Sequence, residues 1–224
     1  MATARASSPR TRSPSRQCGA ISYLEEGDVF RNIDSILVLA CDTSYYAGLT
    51  AKYWFGSIAK IRTDVETVSE YHYLESVSSP RVRRDDLAVG RNHRHARCAQ
   101  VCAVARHDAR AMCGVATSAM VSLTELGFPT HAGREIGGTS TKTFTTQFVG
   151  LFILAVTLGK LRDSVNVEQE AAYLKPLRYL PVALNGVLGL EPQIIAWSEE
   201  FARKEGAFFL GRGLSRCGVF QPYR

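Results

Sequence analysis

Two short loops in this 224-residue chain carry groups suited to holding an anion. Cys41-Asp-Thr-Ser44 follows the apolar run Ser35-Ile-Leu-Val-Leu-Ala40. Its Thr43 and Ser44 hydroxyls, with the N–H groups of a following helix, therefore sit where open parallel sheets bind ligands, beyond a strand's carboxyl end. Gly137-Gly-Thr-Ser-Thr-Lys142 precedes a long helical pattern and offers the same groups. Local pattern alone favours a plain helix N-cap at either place, because Ser and Thr are common at strand-to-helix turns. A third cluster, His93, His95, Cys98, Cys102, His107 and Cys113, has the residue types of a zinc site, but its spacing fits no standard finger. It lies in an arginine run: residues 81 to 110 hold eight Arg against three Asp. Such a run invites a nucleic-acid reading. Residues 1 to 16 add four Arg and no acid, so the formal net charge of +6 comes from two segments and the remainder is mildly acidic.

The elements that must position these loops read as an open α/β sheet. Apolar residues make up 46% and charged residues 21%, which suits a globular domain with its own core. Ser35 to Ala40 has the continuous apolar pattern of a strand buried on both faces in a parallel sheet. Tyr45 to Ala59 reads as a helix and Thr63 to Glu70 as a second strand, giving a strand-loop-helix-strand unit. Between Val77 and Cys113 neither a helical stripe nor a strand of useful length is legible. Order resumes with Val115 to Met120, a strand at Leu126 to His131, and helices over Lys142 to Leu161, Glu168 to Leu190 and Pro192 to Lys204. Ala207 to Gly211 reads as a late strand. The pattern at Phe144 to Leu161, broken by Thr145, Thr146, Gln147 and Lys160, reads as too short and too polar to span a bilayer. Met1 to Arg16 is rich in Arg, Ser and Pro and reads as a disordered tail. Six Cys without a secretory signal do not suggest a disulfide framework.

Taken together, four segments resemble the glucosamine-6-phosphate synthase family: Ile36 to Trp54, Asp64 to Tyr71, Thr130 to Gln147, and Phe208-Phe-Leu-Gly-Arg-Gly213. Order and spacing agree over most of residues 33–73 and 115–214. Tyr23-Leu-Glu-Glu-Gly-Asp28 resembles a piece of that family's glutaminase domain. The resemblance implies an SIS-type (flavodoxin-like) α/β domain, with a parallel sheet flanked by helices. It implies a sugar-phosphate pocket lined by Cys41, Thr43, Ser44, Gly138, Thr139 and Ser140, a ligand such as fructose 6-phosphate or glucosamine 6-phosphate, a cytoplasmic location and a homo-oligomeric family. It calls for no cofactor, metal, nucleic acid or membrane. The implied division is a basic tail with a glutaminase remnant at 1–32, an SIS domain at 33–190, and a linker helix with the first strand of a second SIS domain at 191–224.

Departures from the family's pattern bear on activity. A glycine that follows the loop cysteine in the family is Asp42 here, and the family's Val-Ala-Ser is Gly138-Thr139-Ser140. Its Ser-Gln-Ser-Gly-Glu-Thr phosphate loop, due near residue 88, is absent. A frameshift accounts for that. If Asp86 to His93 is encoded GAT CTC GCA GTC GGG CGA AAC CAT, reading one nucleotide later gives Ile-Ser-Gln-Ser-Gly-Glu-Thr. Arg94 to Arg106 can likewise yield Ala-Thr-Leu-Ala-Ala-Leu-Lys-Tyr-Ala-Gln-Ser-Leu-Gly, an amphipathic helix. On this reading residues 77–113 are out of frame and their His, Cys and Arg carry no function. The expected product is an incomplete SIS domain with a disrupted centre, marginally stable. It lacks a nucleophilic cysteine at position 2, a complete second SIS domain and the family's C-terminal catalytic lysine and histidine segments. No catalytic residue is assigned, and no synthase activity is expected.

Overall fold

The computed structural model describes residues 30–71, 84–90, 109–114, 124, 126–133, 140–205, 211 and 213. Strand β1 (Ser35–Ala40) feeds helix α1 (Asp42–Trp54), which runs into a π-turn (Phe55–Ala59), and β2 (Arg62–Thr67) follows. A short helix α2 (Val68–Tyr71), β3 (Arg84–Gly90), β4 (Ala109–Cys113) and β5 (Leu126–Pro129) come next. Three helices then follow: α3 (Thr141–Leu161), α4 (Val167–Leu188) and α5 (Glu191–Phe201). The five strands form one sheet in the order β2-β1-β3-β4-β5. Every pairing is parallel, with Val38 beside Val65 on one side of β1 and beside Leu87 on the other.

Alternation along β1 divides the core. Ile36, Val38 and Ala40 face a large cluster with Phe55, Val89, Met112, Leu151, Ala155 and Leu158. Leu37 and Leu39 face a smaller one with Val68, Tyr71, Ala88 and Ala111. Helices α1 and α3 cover the first face. Helix α1 lies close on the sheet because Gly48 has no side chain: a Cβ there would stand 3.0 Å from Val38 Cγ1 and 3.1 Å from Val65 Cγ1. The two helices are joined by edge-on aromatic packing of Trp54 on Phe148 (centroids 4.6 Å apart) and Phe152 (5.2 Å). Helix α4 starts with a reciprocal capping box between Asn166 and Gln169. Neither α4 nor α5 contains a buried residue. Contact with the body comes from the Lys160–Glu170 ion pair and the Tyr173 ring beside Phe152.

The structure corrects three of the sequence expectations. Residues 77–113 contain two strands, and β3 is the middle strand of the five, so the sheet does not lose its centre. The signal in β3 is weak because only Leu87-Ala-Val-Gly90 is apolar after Arg84-Asp-Asp86, although all four are buried. In β4 the pattern is broken by Arg110, which looks like a surface residue. It is only 3% exposed, with its guanidinium carbon 4.5 Å from the Phe30 ring centroid. One arginine of the basic run therefore belongs to the core. Second, β2 ends at Thr67, and Val68–Tyr71 turns into helix instead of extending the strand. Third, α3 is 21 residues long and contains an 18-residue stretch of mean hydropathy 1.6, long and apolar enough to cross a membrane by length and composition. Its apolarity has a local cause, because Leu151, Ala155, Val156 and Leu158 are buried against the sheet, α1 and the π-turn.

The late strand at 207–211, the pattern at 115–120 and the tail at 1–16 lie outside the described residues, as do His93, His95, Cys98, Cys102 and His107.

Candidate anion site at the sheet switch point

In this strand order the chain runs outward from β1 in both directions, to β2 on one side and to β3 on the other. The sheet's switch point therefore lies at the carboxyl ends of β1 and β3, where open α/β sheets have their ligand crevice. The β1 loop is one wall. Cys41 occupies the N-cap position of α1 in extended conformation (φ −135°, ψ 158°) with no side-chain capping bond. Asp42, Thr43 and Ser44 are the first helical residues, so neither hydroxyl residue is the cap that local pattern allowed. The first turn offers the unpaired N–H groups that favour an anion.

Asp42 has φ +51°, in the left-handed region. The turn out of β1 is thus one that favours glycine, and Asp is among the few other residues that adopt it at moderate cost. Its side chain is exposed and ionisable, a negative charge at the mouth of an anion site.

Ser44 is 2% exposed, and its hydroxyl donates to Gln147 Oε1 at 2.9 Å. Gln147, fully buried in α3, donates from Nε2 to the carbonyl oxygen of Gly90 at 3.2 Å. Gly90 is the last residue of β3. One glutamine therefore joins the first turn of α1, the second turn of α3 and the carboxyl end of β3. It holds the amino ends of the two helices side by side over the crevice. In the sequence Gln147 stands out only as a polar break in the Phe144 to Leu161 pattern and as the end of a resembling segment. The signal that could have found it is an amide two turns into an otherwise apolar helix face, since a buried amide needs partners.

Of the other expected residues, Ser140 is the N-cap of α3, partly buried and without a side-chain capping bond. Gly138 and Thr139 lie outside the described residues. Cys41 is half-buried and Thr43 partly exposed, on the same loop. Thr130 and Thr146 add a hydroxyl–hydroxyl contact of 3.2 Å between the end of β5 and α3. Cys41 and Cys113, at the ends of β1 and β4, are not in a disulfide. Among the described residues no cluster of three or more His, Cys, Asp or Glu could hold a metal ion.

An all-parallel sheet in this order, flanked by helices, defines a flavodoxin-like α/β domain. The chain belongs to the SIS domain family, whose model matches residues 29–157. It is 50% identical over 196 residues to the isomerizing glutamine–fructose-6-phosphate aminotransferase of Bordetella parapertussis, covering 83% of this chain and 31% of that protein. The enzyme of the same name from Neisseria meningitidis serogroup A is 47% identical over 193 residues, with the same coverage. The chain spans about a third of the length of these curated relatives. Among solved structures, the C-terminal domain of glucosamine-fructose-6-phosphate aminotransferase from Francisella tularensis superposes with a TM-score of 0.80 at 33% identity. That match covers 86% of this chain and 55% of the other. The chain thus corresponds to an SIS region of this aminotransferase.

Proposed function

We propose that this chain is a sugar-phosphate-binding SIS module, taking fructose 6-phosphate or glucosamine 6-phosphate, and that it does not itself form glucosamine 6-phosphate. The observation that carries the reading is the crevice beyond β1 and β3, to which α1 and α3 present their amino ends. Cys41, Thr43 and Ser44 form one wall of the pocket, and the loop of Gly138, Thr139 and Ser140 forms the other. Catalysis is not expected because the crevice has Asp42 at its mouth and because Leu87 to His93 brings no hydroxyl to the end of β3. The module occupies residues 33–190. Residues 1–32 are a basic tail with a glutaminase remnant, and 191–224 are a linker helix with the opening strand of a second such domain. A cytoplasmic location goes with this reading.

Titration of the purified chain with fructose 6-phosphate tests it. Saturable binding is expected in the micromolar-to-millimolar range, with no glucosamine 6-phosphate formed when glutamine is added. Absence of binding at millimolar ligand overturns the binding claim, and detectable product overturns the claim of inactivity.

The frameshift belongs to the same proposal. Its support is economy: a single shift supplies both the missing hydroxyl-rich loop after β3 and an amphipathic helix after that loop. The nucleotide sequence of codons 74 to 115 decides it. Codons that do not spell Ile-Ser-Gln-Ser-Gly-Glu-Thr one nucleotide later reject the frameshift and leave Leu87 to His93 as the native segment.

A further inference from the structure

The crevice offers groups of both signs. The amino ends of α1 and α3 present backbone N–H groups, and Lys142 adds an exposed ammonium in the first turn of α3. Asp42 is the exception. It is the first residue of α1, with φ +51°, and among the described residues its carboxylate has neither an ion pair nor a hydrogen-bond partner. Asp64 in β2 shows the contrast, since Lys52 lies 3.7 Å and Arg62 3.5 Å from its carboxylate. The charge of Asp42 is thus left for the solvent or for a ligand. Beside a phosphate alone it is repulsive, and only a ligand that also carries a cation turns it to advantage.

We infer, building on the sugar-phosphate reading above, that Asp42 is a specificity-determining residue that selects sugar phosphates bearing an amine. The module then takes glucosamine 6-phosphate in preference to fructose 6-phosphate or any other uncharged sugar's phosphate. The phosphate settles on the helix N–H groups and the ammonium faces Asp42 at the mouth. Repulsion between Asp42 and the phosphate is common to all these ligands and cancels when two of them are compared. What remains is the attraction between carboxylate and ammonium. Two unit charges a few ångströms apart in water change an affinity by about a factor of five, and by more where the crevice excludes water.

The test compares glucosamine 6-phosphate with glucose 6-phosphate, which has the same ring and phosphate and differs only in carrying a hydroxyl in place of the ammonium at carbon 2. Both are titrated into the full chain and into Asp42→Asn and Asp42→Gly, with thermal unfolding as the check that each variant folds. The parent is expected to bind the amino sugar about fivefold more tightly at low salt, with the preference shrinking as salt is added. In both variants the preference should vanish: glucose 6-phosphate gains about tenfold from the lost repulsion, while glucosamine 6-phosphate, which also loses an attraction, gains only about twofold.

Equal affinities of the parent for the two ligands overturn the selectivity and leave the sugar-phosphate reading standing. A preference that survives intact in both variants means that another group reads the amine, and it overturns the role of Asp42. Failure of the parent to bind either ligand is a separate outcome, which removes the binding reading and the selectivity together.

Discussion

Phe55→Ala is expected to abolish the cooperative unfolding transition of this chain. Phe55 is completely buried where α1 passes into the π-turn, in the main cluster with Ile36, Val38, Leu151 and Leu158. Truncating a buried phenylalanine costs about 3–5 kcal/mol in lost transfer energy and residual cavity. Whole domains have only about 5–15 kcal/mol, and this one belongs at the low end. Among its described side chains, the middle strand contributes Leu87 and Val89 to the main cluster and Ala88 to the other. The 35 residues from Val167 to Phe201 bury no side chain of their own. Trp197, Ile194, Ile195 and Leu188 are more than half exposed, so the two terminal helices add little to the ledger. Tyr53→Ala is the control: its ring is 49% exposed in the same helix, and the change should stay within about 1 kcal/mol. Urea unfolding followed by far-ultraviolet circular dichroism reads both. A Phe55→Ala midpoint equivalent to less than about 1 kcal/mol of loss contradicts this account of the core.

The contrast between these two neighbours also indicates what the sequence could reveal. Helix α1 and strand β1 were legible because their apolar residues repeat with clear periods and a loop of turn-forming residues separates them. Strands β3 and β4 were not. A central strand is defined by what its neighbours bury around it, and Asp85, Asp86 and Arg110 disguise the short apolar runs that the sheet encloses. Helix α3 was legible in extent, but its apolarity alone fits a core helix as well as a membrane span, and only its seat against β4 and the π-turn separates them. At the site, Cys41-Asp-Thr-Ser44 was correctly located at the end of β1. Which partner each hydroxyl finds was not legible, because hydroxyl donors are alike in sequence. The partner 103 positions away that takes up the Ser44 proton is a property of the fold.

Removing the charge of Asp42 is expected to strengthen fructose 6-phosphate binding by roughly tenfold at low ionic strength. Two unit charges about 4 Å apart repel by ~1 kcal/mol in water and more in a partly enclosed crevice, and a phosphate monoester carries nearly two. Asp42 is exposed, so the gain should shrink as salt is added and the Debye length contracts. Two variants separate the charge from the backbone. Asp42→Asn deletes the charge and keeps a side chain at φ +51°, while Asp42→Gly also relieves the left-handed strain, worth about 1 kcal/mol. For stability a second effect opposes that relief. A carboxylate in the first turn of α1 favours the helix by about 0.3–1 kcal/mol, and both variants lose this. The expected pattern is therefore equal affinity gains for Asn and Gly, a slightly lowered melting temperature for Asn, and a melting temperature near that of the parent for Gly. An affinity gain confined to Gly would trace the defect to backbone geometry instead of charge. No gain in either would mean that the phosphate does not approach the β1 loop at all.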